Sequence, residues 1–402
     1  MNNIELSAKK NEALVLIKNG DLVTARDRLE ALVAVAPNND EFWFYLGSVY
    51  GMLNELDSAA ESFRRGLDIS PGQCALYYNL AVTERKQGDW MAALRDCDES
   101  LRLNQNYAVA HHLRGEILRE MHRYSEAEMS CRAAIDIDPA FAKAHTNLGH
   151  VLRKQERLEE AAASYKMALS LDPGDQKTRY MLAVVGGLDQ PDTPPPEYVQ
   201  GLFDDFAERF DHTLVNKLEY RIPQLIKAQV VLMLEGKGGR MLDLGCGTGL
   251  CGEQLSDDVD KIIGIDLSPG MLEQARAREV YDQLLFTDIV EGMKQLSVHF
   301  DLIVAADVFI YVGDLLRVFE QCADKITNGG LFVFSVESAA QDEQDFVLRP
   351  SGRYAHSLAY IRGLVNRYGF REEVCKEVVI RKESGRDLPG YLIVLRGSYE
   401  AK

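Results

Sequence analysis

The sequence predicts an α-helical repeat solenoid followed by an α/β domain with a mostly parallel sheet. Three observations predict it. Small residues and prolines recur every 34 positions through the first half. Four prolines crowd into six residues just beyond position 190. After them, short apolar runs that end in aspartate alternate with helical stretches, behind a Gly-x-Gly-x-Gly turn. At 402 residues the chain is also too long for one ordinary domain.

The repeat is the firmest element. Ala25, Ala59, Ala93, Ala127 and Ala161 fall 34 residues apart, and Pro37, Pro71, Pro139 and Pro173 keep the same step with Gln105 in the remaining place. Small residues at Gly47, Ala81, Gly115 and Gly149 let two helices approach, and the alanine of the second helix fills the facing hole. Proline ends that helix and starts the next unit. Repeat one carries Lys9 where later repeats carry a bulky residue, as expected of a terminal unit, and residues 175–187 are expected to close the array. Trp43, Leu46, Gly47, Tyr50, Ala59, Phe63 and Pro71 resemble the signature of tetratricopeptide (TPR) repeats, helix–turn–helix units that stack into a superhelix. The resemblance implies a binding surface for a protein or peptide; a spacer or dimerisation arm is the other reading. His111 and His145 sit one repeat apart at the bulky position and are read as packing residues.

On the first helices, which line the concave face in such arrays, the same count places Arg85, Lys86, Arg119, Arg153 and Lys154, with His112 and His150. These cations suit an acidic segment, or else form a solvated face paired with neighbouring acids. Asn79 and Asn147, also 34 apart, are candidates to hold an extended peptide backbone.

Asp189-Gln-Pro-Asp-Thr-Pro-Pro-Pro196 precludes a helix and favours an extended, stiff linker. The expected organisation is a solenoid at 1–188, a linker at 189–196 and a second domain at 197–402.

In that second domain Phe203, Phe206 and Phe210 make a helical apolar stripe. Arg240-Met-Leu-Asp-Leu-Gly-Cys-Gly-Thr-Gly249 reads as a buried strand running into a glycine turn and a helix, with Gly245, Gly247 and Gly249 free to adopt conformations closed to other residues. Further strands follow at Lys261–Asp266, Leu284–Asp288, Phe300–Asp307 and Leu331–Ser335. Acids at the carboxyl ends of successive strands line one crevice, where such sheets bind ligands. Each Asp alone is equally a helix cap; the ordered set behind a glycine turn points to a nucleoside. The spacing is tighter than the Gly-x-Gly-x-x-Gly of dinucleotide sites, and Asp243 suits a cation better than a pyrophosphate.

Residues 240–337 resemble class I S-adenosylmethionine (SAM)-dependent methyltransferases, which have a Rossmann-like fold with a seven-stranded, mostly parallel sheet closed by a C-terminal antiparallel hairpin. Glu377–Arg381 and Tyr391–Leu395 read as that hairpin. The resemblance implies that Asp243, Gly245, Gly247 and Gly249 form the SAM turn. It implies that Asp266 with Leu267 binds ribose, that Asp288 with Ile289 contacts adenine, and that Asp307 stands beside the methyl donor. Phe203-Asp-x-Phe-Ala-x-x-Phe-Asp211, Leu218-x-Tyr-Arg-x-Pro223 and Gly352-Arg-Tyr-Ala-His-Ser357 resemble a bacterial group of predicted methyltransferases with TPR repeats. The last segment follows the fifth strand, where this class places acceptor-binding residues. It supplies the expected catalytic set: His356 as base or acceptor ligand, Arg353 for an acceptor carboxylate, and Tyr354. Phe203, Phe206 and Tyr311 are candidates for a dry lid, with core packing the favoured reading of Phe206. His299 is expected in solvent.

Charge and composition narrow the rest. The net charge is −17, with −6 over residues 1–190 and −11 over the remainder, so neither part is a general nucleic-acid binder. Asp307 is followed by Val-Phe-Ile and not by the Pro-Pro-aromatic run of base methylases. Seven scattered cysteines without C-x-x-C spacing exclude a disulfide framework and a zinc site and suit a reducing compartment. The N-terminal MNNIELSAKKNEAL lacks an apolar run, no stretch reaches membrane-spanning length, and a cytoplasmic location is expected. The expected function is SAM-dependent methylation of a small molecule or a protein. A binding scaffold on an inactive methyltransferase fold is the second reading.

Overall fold

The computed structural model describes residues 3–204, 211, 214, 218–234, 238–340, 343–383 and 385–397. It divides into two compact units, Met1–Thr178 and Arg179–Lys402.

The first unit is helical and follows the 34-residue ruler. Its pairs are α1 (Asn3–Lys18) with α2 (Leu22–Val35), α3 (Asp40–Met52) with α4 (Leu56–Ile69), and α5 (Cys74–Gln87) with α6 (Trp90–Leu103). Then come α7 (Ala108–Glu120) with α8 (Tyr124–Ile137), and α9 (Ala142–Lys154) with α10 (Leu158–Leu171). All five register alanines, from Ala25 to Ala161, are fully buried. The small residues explain the tight pairing. A Cβ at Gly47 would meet the Phe63 ring at 2.7 Å, and one at Gly149 would meet Tyr165 at 2.5 Å. The bulky register position is a peg. The Nε1–H of Trp43 donates to the Pro37 carbonyl at 2.8 Å, and His111 and His145 place Nε2 3.0 Å from the carbonyls of Gln105 and Pro139. Each ties the start of a repeat to the turn six residues before it.

The asparagines depart from expectation. Asn79 donates to the Ala75 carbonyl of its own helix at 2.8 Å, and the buried Asn147 donates to the Cys131 sulfur at 3.3 Å. The Asn79 amide is bonded within its own helix, and the Asn147 amide bonds across to the preceding repeat. The cations stand among acids: Arg85 lies 3.8 Å from Glu116, and Arg119 is 2.8 Å from Glu120.

α11 (Gln176–Val184) is followed in the second unit by α12 (Pro196–Asp204) and α13 (Ile222–Val230). Then β1 (Arg240–Leu244), α14 (Leu250–Leu255), β2 (Lys261–Asp266), α15 (Pro269–Ala277), β3 (Gln283–Phe286), α16 (Ile289–Gln295) and β4 (Phe300–Ala305) alternate. A 3₁₀ turn at Phe309–Tyr311, α17 (Leu316–Lys325) and β5 (Ile326–Ser338) follow. The chain closes with β6 (Phe346–Leu348), β7 (Tyr354–His356), α18 (Leu358–Arg367), β8 (Phe370–Glu383) and β9 (Arg386–Gly397).

The strand order is β3-β2-β1-β4-β5, all parallel, and β9 then pairs antiparallel with both β5 and β8. Two strands exceed the seven expected. β6 and β7 are only three residues each and extend the far end of β5. Along each strand alternate side chains enter two apolar layers. Leu242, Ile303 and Phe332 face one side with Phe319; Met241, Leu302 and Val333 face the other with Ile226. Strand order reverses between β1 and β4, and that reversal opens a crevice at the carboxyl ends of these strands. Among the described residues no helix is long and apolar enough to cross a membrane.

Candidate active site

The crevice begins where β1 runs out. Gly245, Gly247 and Gly249 have φ of +60°, +54° and +91°, which only glycine adopts without strain. Packing adds a second demand at the outer two: a Cβ at Gly245 would meet Val308 at 2.7 Å, and one at Gly249 would meet Arg278 and Tyr281 at 3.0 Å. At Gly247 nothing lies within 4 Å, so its bare backbone faces open space. Gly245 and Gly247 line a cavity of about 550 Å³, while Gly249 stands behind it as the residue before α14.

The acids arrive from successive strand ends. Asp266 accepts the Gly247 N–H on Oδ2 and the Ser268 N–H on Oδ1, both at 2.8 Å, and thereby joins the glycine turn to the start of α15. Burial pushes its carboxyl above the ordinary range. Asp243 is 1% exposed and accepts the Tyr281 hydroxyl at 2.7 Å. Burial, with Asp266 close by, raises its carboxyl to about 7. Asp288 caps α16 through Oδ1, and Leu267 and Ile289 join Asp243, Asp266 and Asp288 in the cavity wall.

Asp307 lines the same cavity in a left-handed conformation, φ +59°, unusual for a residue with a side chain. Its Oδ2 lies 2.5 Å from Arg381, which also reaches the buried Glu337 at 2.6 Å. Arg381 is 2% exposed. The sequence places it only on a strand; an arginine directly after the apolar Val378-Val-Ile run is the signal that marks it. Arg353 lines the cavity too and binds Glu383 at 3.0 Å. Phe203 and Tyr311 both line it and pack edge to face, centroids 5.2 Å apart. Phe206 and His212 lie outside the described residues. His299 is exposed.

Two expected catalytic residues are not brought to the cavity. Tyr354 is fully buried, and its hydroxyl donates to the Pro191 carbonyl at 2.7 Å. His356 is fully buried, with Nε2 3.0 and 2.9 Å from the carbonyls of Val312 and Gly313. Carbonyls only accept, so Nε2 carries the proton, and burial lowers the ring to about 4. With Nε2 turned to backbone and the ring outside the cavity wall, His356 stands away from an acceptor held there. Both residues act as struts. The Gly313 and Asp314 N–H groups donate to the Asp192 carbonyl at 2.8 and 3.1 Å, and the Gln190 side chain bonds the Phe346 carbonyl and the Leu348 N–H, each at 2.9 Å. The proline-rich stretch is therefore bonded along the second unit, and Thr193, Pro194 and Pro196 form cavity wall.

Sequence reasoning also missed the ties around the glycine turn. Arg278 donates to the Thr248 carbonyl at 2.6 Å and pairs with Glu253 and Asp211. The Thr248 hydroxyl reaches Asp211, and the Ser268 hydroxyl reaches Asp204, each at 2.5 Å. Of the acids in the Phe203-Asp…Phe-Asp211 signature, Asp211 thus holds the turn and Asp204 the start of α15.

Both parts of the chain are similar to known proteins. Residues 242–332 match a methyltransferase domain, and residues 10–73, 78–140 and 142–175 match tetratricopeptide repeats. A biotin biosynthesis bifunctional protein of Saccharophagus degradans is 34% identical over 99 residues, 24% of this chain and 18% of that protein. An 18S rRNA (guanine-N(7))-methyltransferase of Arabidopsis thaliana is 34% identical over 102 residues, 25% of this chain and 34% of that one. A ubiquinone biosynthesis O-methyltransferase of Coxiella burnetii is 30% identical over 113 residues, 27% and 47%. The chain thus spans less than half the length of each of these relatives. Among solved structures, magnesium protoporphyrin IX methyltransferase from Synechocystis with bound SAH aligns at TM-score 0.41 and 15% identity, over 50% of this chain and 99% of that one. The TPR protein YrrB aligns at TM-score 0.38 and 22% identity, over 43% and 89%. The chain joins an array of tetratricopeptide repeats to a methyltransferase domain.

Proposed function

We propose that the second unit binds SAM along the crevice from Gly245 to Asp266 and transfers its methyl group to an acceptor held at the Arg353 end of the cavity. The observation that carries this reading is the arrangement of acids around a bare glycine. Both oxygens of Asp266 are fixed by backbone N–H groups, and each keeps a lone pair for a ribose hydroxyl. The open face of Gly247 admits a ligand against the main chain. Asp243, buried near Asp266, is stabilised as a carboxylate by a cation and destabilised by a diphosphate. Asp288 keeps Oδ2 for an adenine amino group, between the apolar Leu267 and Ile289.

Bound there, SAM supplies a methyl group already activated on a sulfonium. The residues of the chain then have to orient the partners and exclude water. Orientation alone is worth roughly 7–11 kcal/mol of barrier. Phe203 and Tyr311 supply the dry wall, and Arg381 holds Asp307 in place.

Titration calorimetry tests the assignment. Asp266→Ala removes two charge-assisted hydrogen bonds at about 1.5 kcal/mol or more each, so SAM affinity falls roughly 100-fold. Wild-type affinity in this variant, or tighter binding of NADH than of SAM by the native chain, overturns the assignment. Labelled SAM incubated with fractionated lysate separates an active enzyme from a scaffold on the same fold.

The repeats are read as the protein-binding module. Arg85 and Arg119 occupy the same position of successive first helices, 34 residues apart. Reversing both to glutamate removes capture of an acidic protein partner, and native capture weakens as salt rises. Unchanged capture by the reversed chain makes the array a spacer or dimer arm.

A further inference from the structure

We infer that the acceptor is a small molecule with an apolar body and one carboxylate, and that Arg353 is the group that takes the carboxylate. The inference rests on the methyl-transfer reading and names the substrate class of the same cavity.

Three arginines line the cavity: Arg317, Arg353 and Arg381. They differ in what already holds them. Arg381 is buried between Asp307 and Glu337 at 2.5 and 2.6 Å, so its charge is matched twice over. Arg317 is exposed to solvent, where an ion pair is worth little. Arg353 lies between these extremes. Its side chain is 23% exposed, and Glu337 stands 4.0 Å away but is bound more closely to Arg381. Its near partner, Glu383 at 3.0 Å, has a side chain 43% exposed and is held by no second cation among the described ion pairs. A guanidinium has five N–H donors in a planar fork that matches a carboxylate. Arg353 therefore has donor capacity at the cavity wall and a weakly held partner.

The charges select the ligand's valence. Asp307, Glu337 and Arg381 together carry one negative charge, which Arg353 cancels. Glu383 adds one negative charge to this neutral group, and a monocarboxylate that displaces it leaves the local charge unchanged. A phosphate dianion brings a second negative charge beside Asp307 and Glu337, met only by the solvent-exposed Arg317. The apolar part of the ligand meets Pro194, Val199, Phe203, Leu218 and the Tyr311 ring, all in the same wall.

The arginine is also held in advance. Gly352 has φ +85°, and its carbonyl accepts the Tyr180 hydroxyl at 3.1 Å. A Cβ there would meet the Tyr198 hydroxyl at 2.8 Å. The turn that presents Arg353 is thus fixed before any ligand arrives, which lowers the ordering cost of binding.

The test uses the full chain saturated with SAH, the demethylated form of SAM. Octanoate and phenylacetate are titrated by calorimetry against their neutral amides. Each acid binds at least tenfold more tightly than its amide. Arg353→Gln abolishes that preference while SAH affinity stays within twofold, and Glu383→Gln raises acid affinity severalfold. Equal binding of acid and amide to the native chain, or binding of neither, overturns the inference without recourse to any variant. So does a preference that survives Arg353→Gln or disappears only in Arg317→Gln. Failure of SAH itself to bind the native chain is a separate outcome and counts against the methyl-transfer reading.

Discussion

Two histidines measure the difference between the halves of this chain. His145 in the repeats and His356 in the methyltransferase unit are both buried, and both set Nε2 against backbone carbonyls. The carbonyl that holds His145 lies six residues away, whereas those that hold His356 lie 43 and 44 away. The first role is readable from a 34-residue register; the second is not. The rest of each unit behaves alike. Gly149 meets Tyr165 within one repeat, while Asp307 finds Arg381 across 74 residues and Tyr354 finds Pro191 across 163. In the solenoid each contact closes within one unit or with its neighbour, so position implies function. In the sheet unit a side chain's role depends on which distant strand end lies beside it.

The largest expected effect tests the long-range side of this contrast. Arg381→Met removes the close cation from the buried Glu337 and the half-buried Asp307, leaving only Arg353 at 4.0 Å from Glu337, which costs about 3–5 kcal/mol. Denaturant unfolding should register that loss in the sheet unit and leave the repeats unmoved. A change below about 1 kcal/mol would show that the cluster contributes no net stability.

Acid sensitivity comes next. Folded His356 stays neutral down to about 4, whereas the unfolded ring takes up a proton below its ordinary 6.5. Stability is therefore complete above 6.5 and falls as pH drops toward 4. Each pH unit in that window is worth about 1.4 kcal/mol, or about 2 kcal/mol between pH 7.5 and 5. His356→Gln, which keeps an N–H for the two carbonyls, should remove that part of the loss in unfolding curves at the two pH values. His150 of the repeats, half-buried and lowered to about 3 by desolvation, adds the same slope to its own unit and serves as the internal comparison.

The smallest effects sharpen the local side. Gly149→Ala forces a Cβ against the Tyr165 ring and should cost about 1–3 kcal/mol by overpacking. The same substitution at Gly51, where nothing lies within 4 Å, should stabilise the chain by about 0.5–1 kcal/mol, because alanine is the better helix former. Equal effects at the two sites would mean that the register does not govern packing.

By itself the sequence determined the repeat architecture, the alternation of strands and helices, and most of the residues that line the crevice. Each rests on a short-range rule: a 34-residue period, a period of two or 3.6, or glycines at alternate positions with an acid two residues before them. Asp243, Gly245, Gly247, Asp266, Leu267, Asp288, Ile289, Asp307 and Arg353 accordingly line one cavity. Tertiary structure alone decided the roles of Arg381, Tyr281, His356 and Tyr354, and turned a proline-rich connector into a wall of that cavity. The physical reason is burial. A charged or polar side chain removed from water must find its partner within about 3 Å. In a sheet assembled from distant segments, the identity of that partner is settled only when the strands pack.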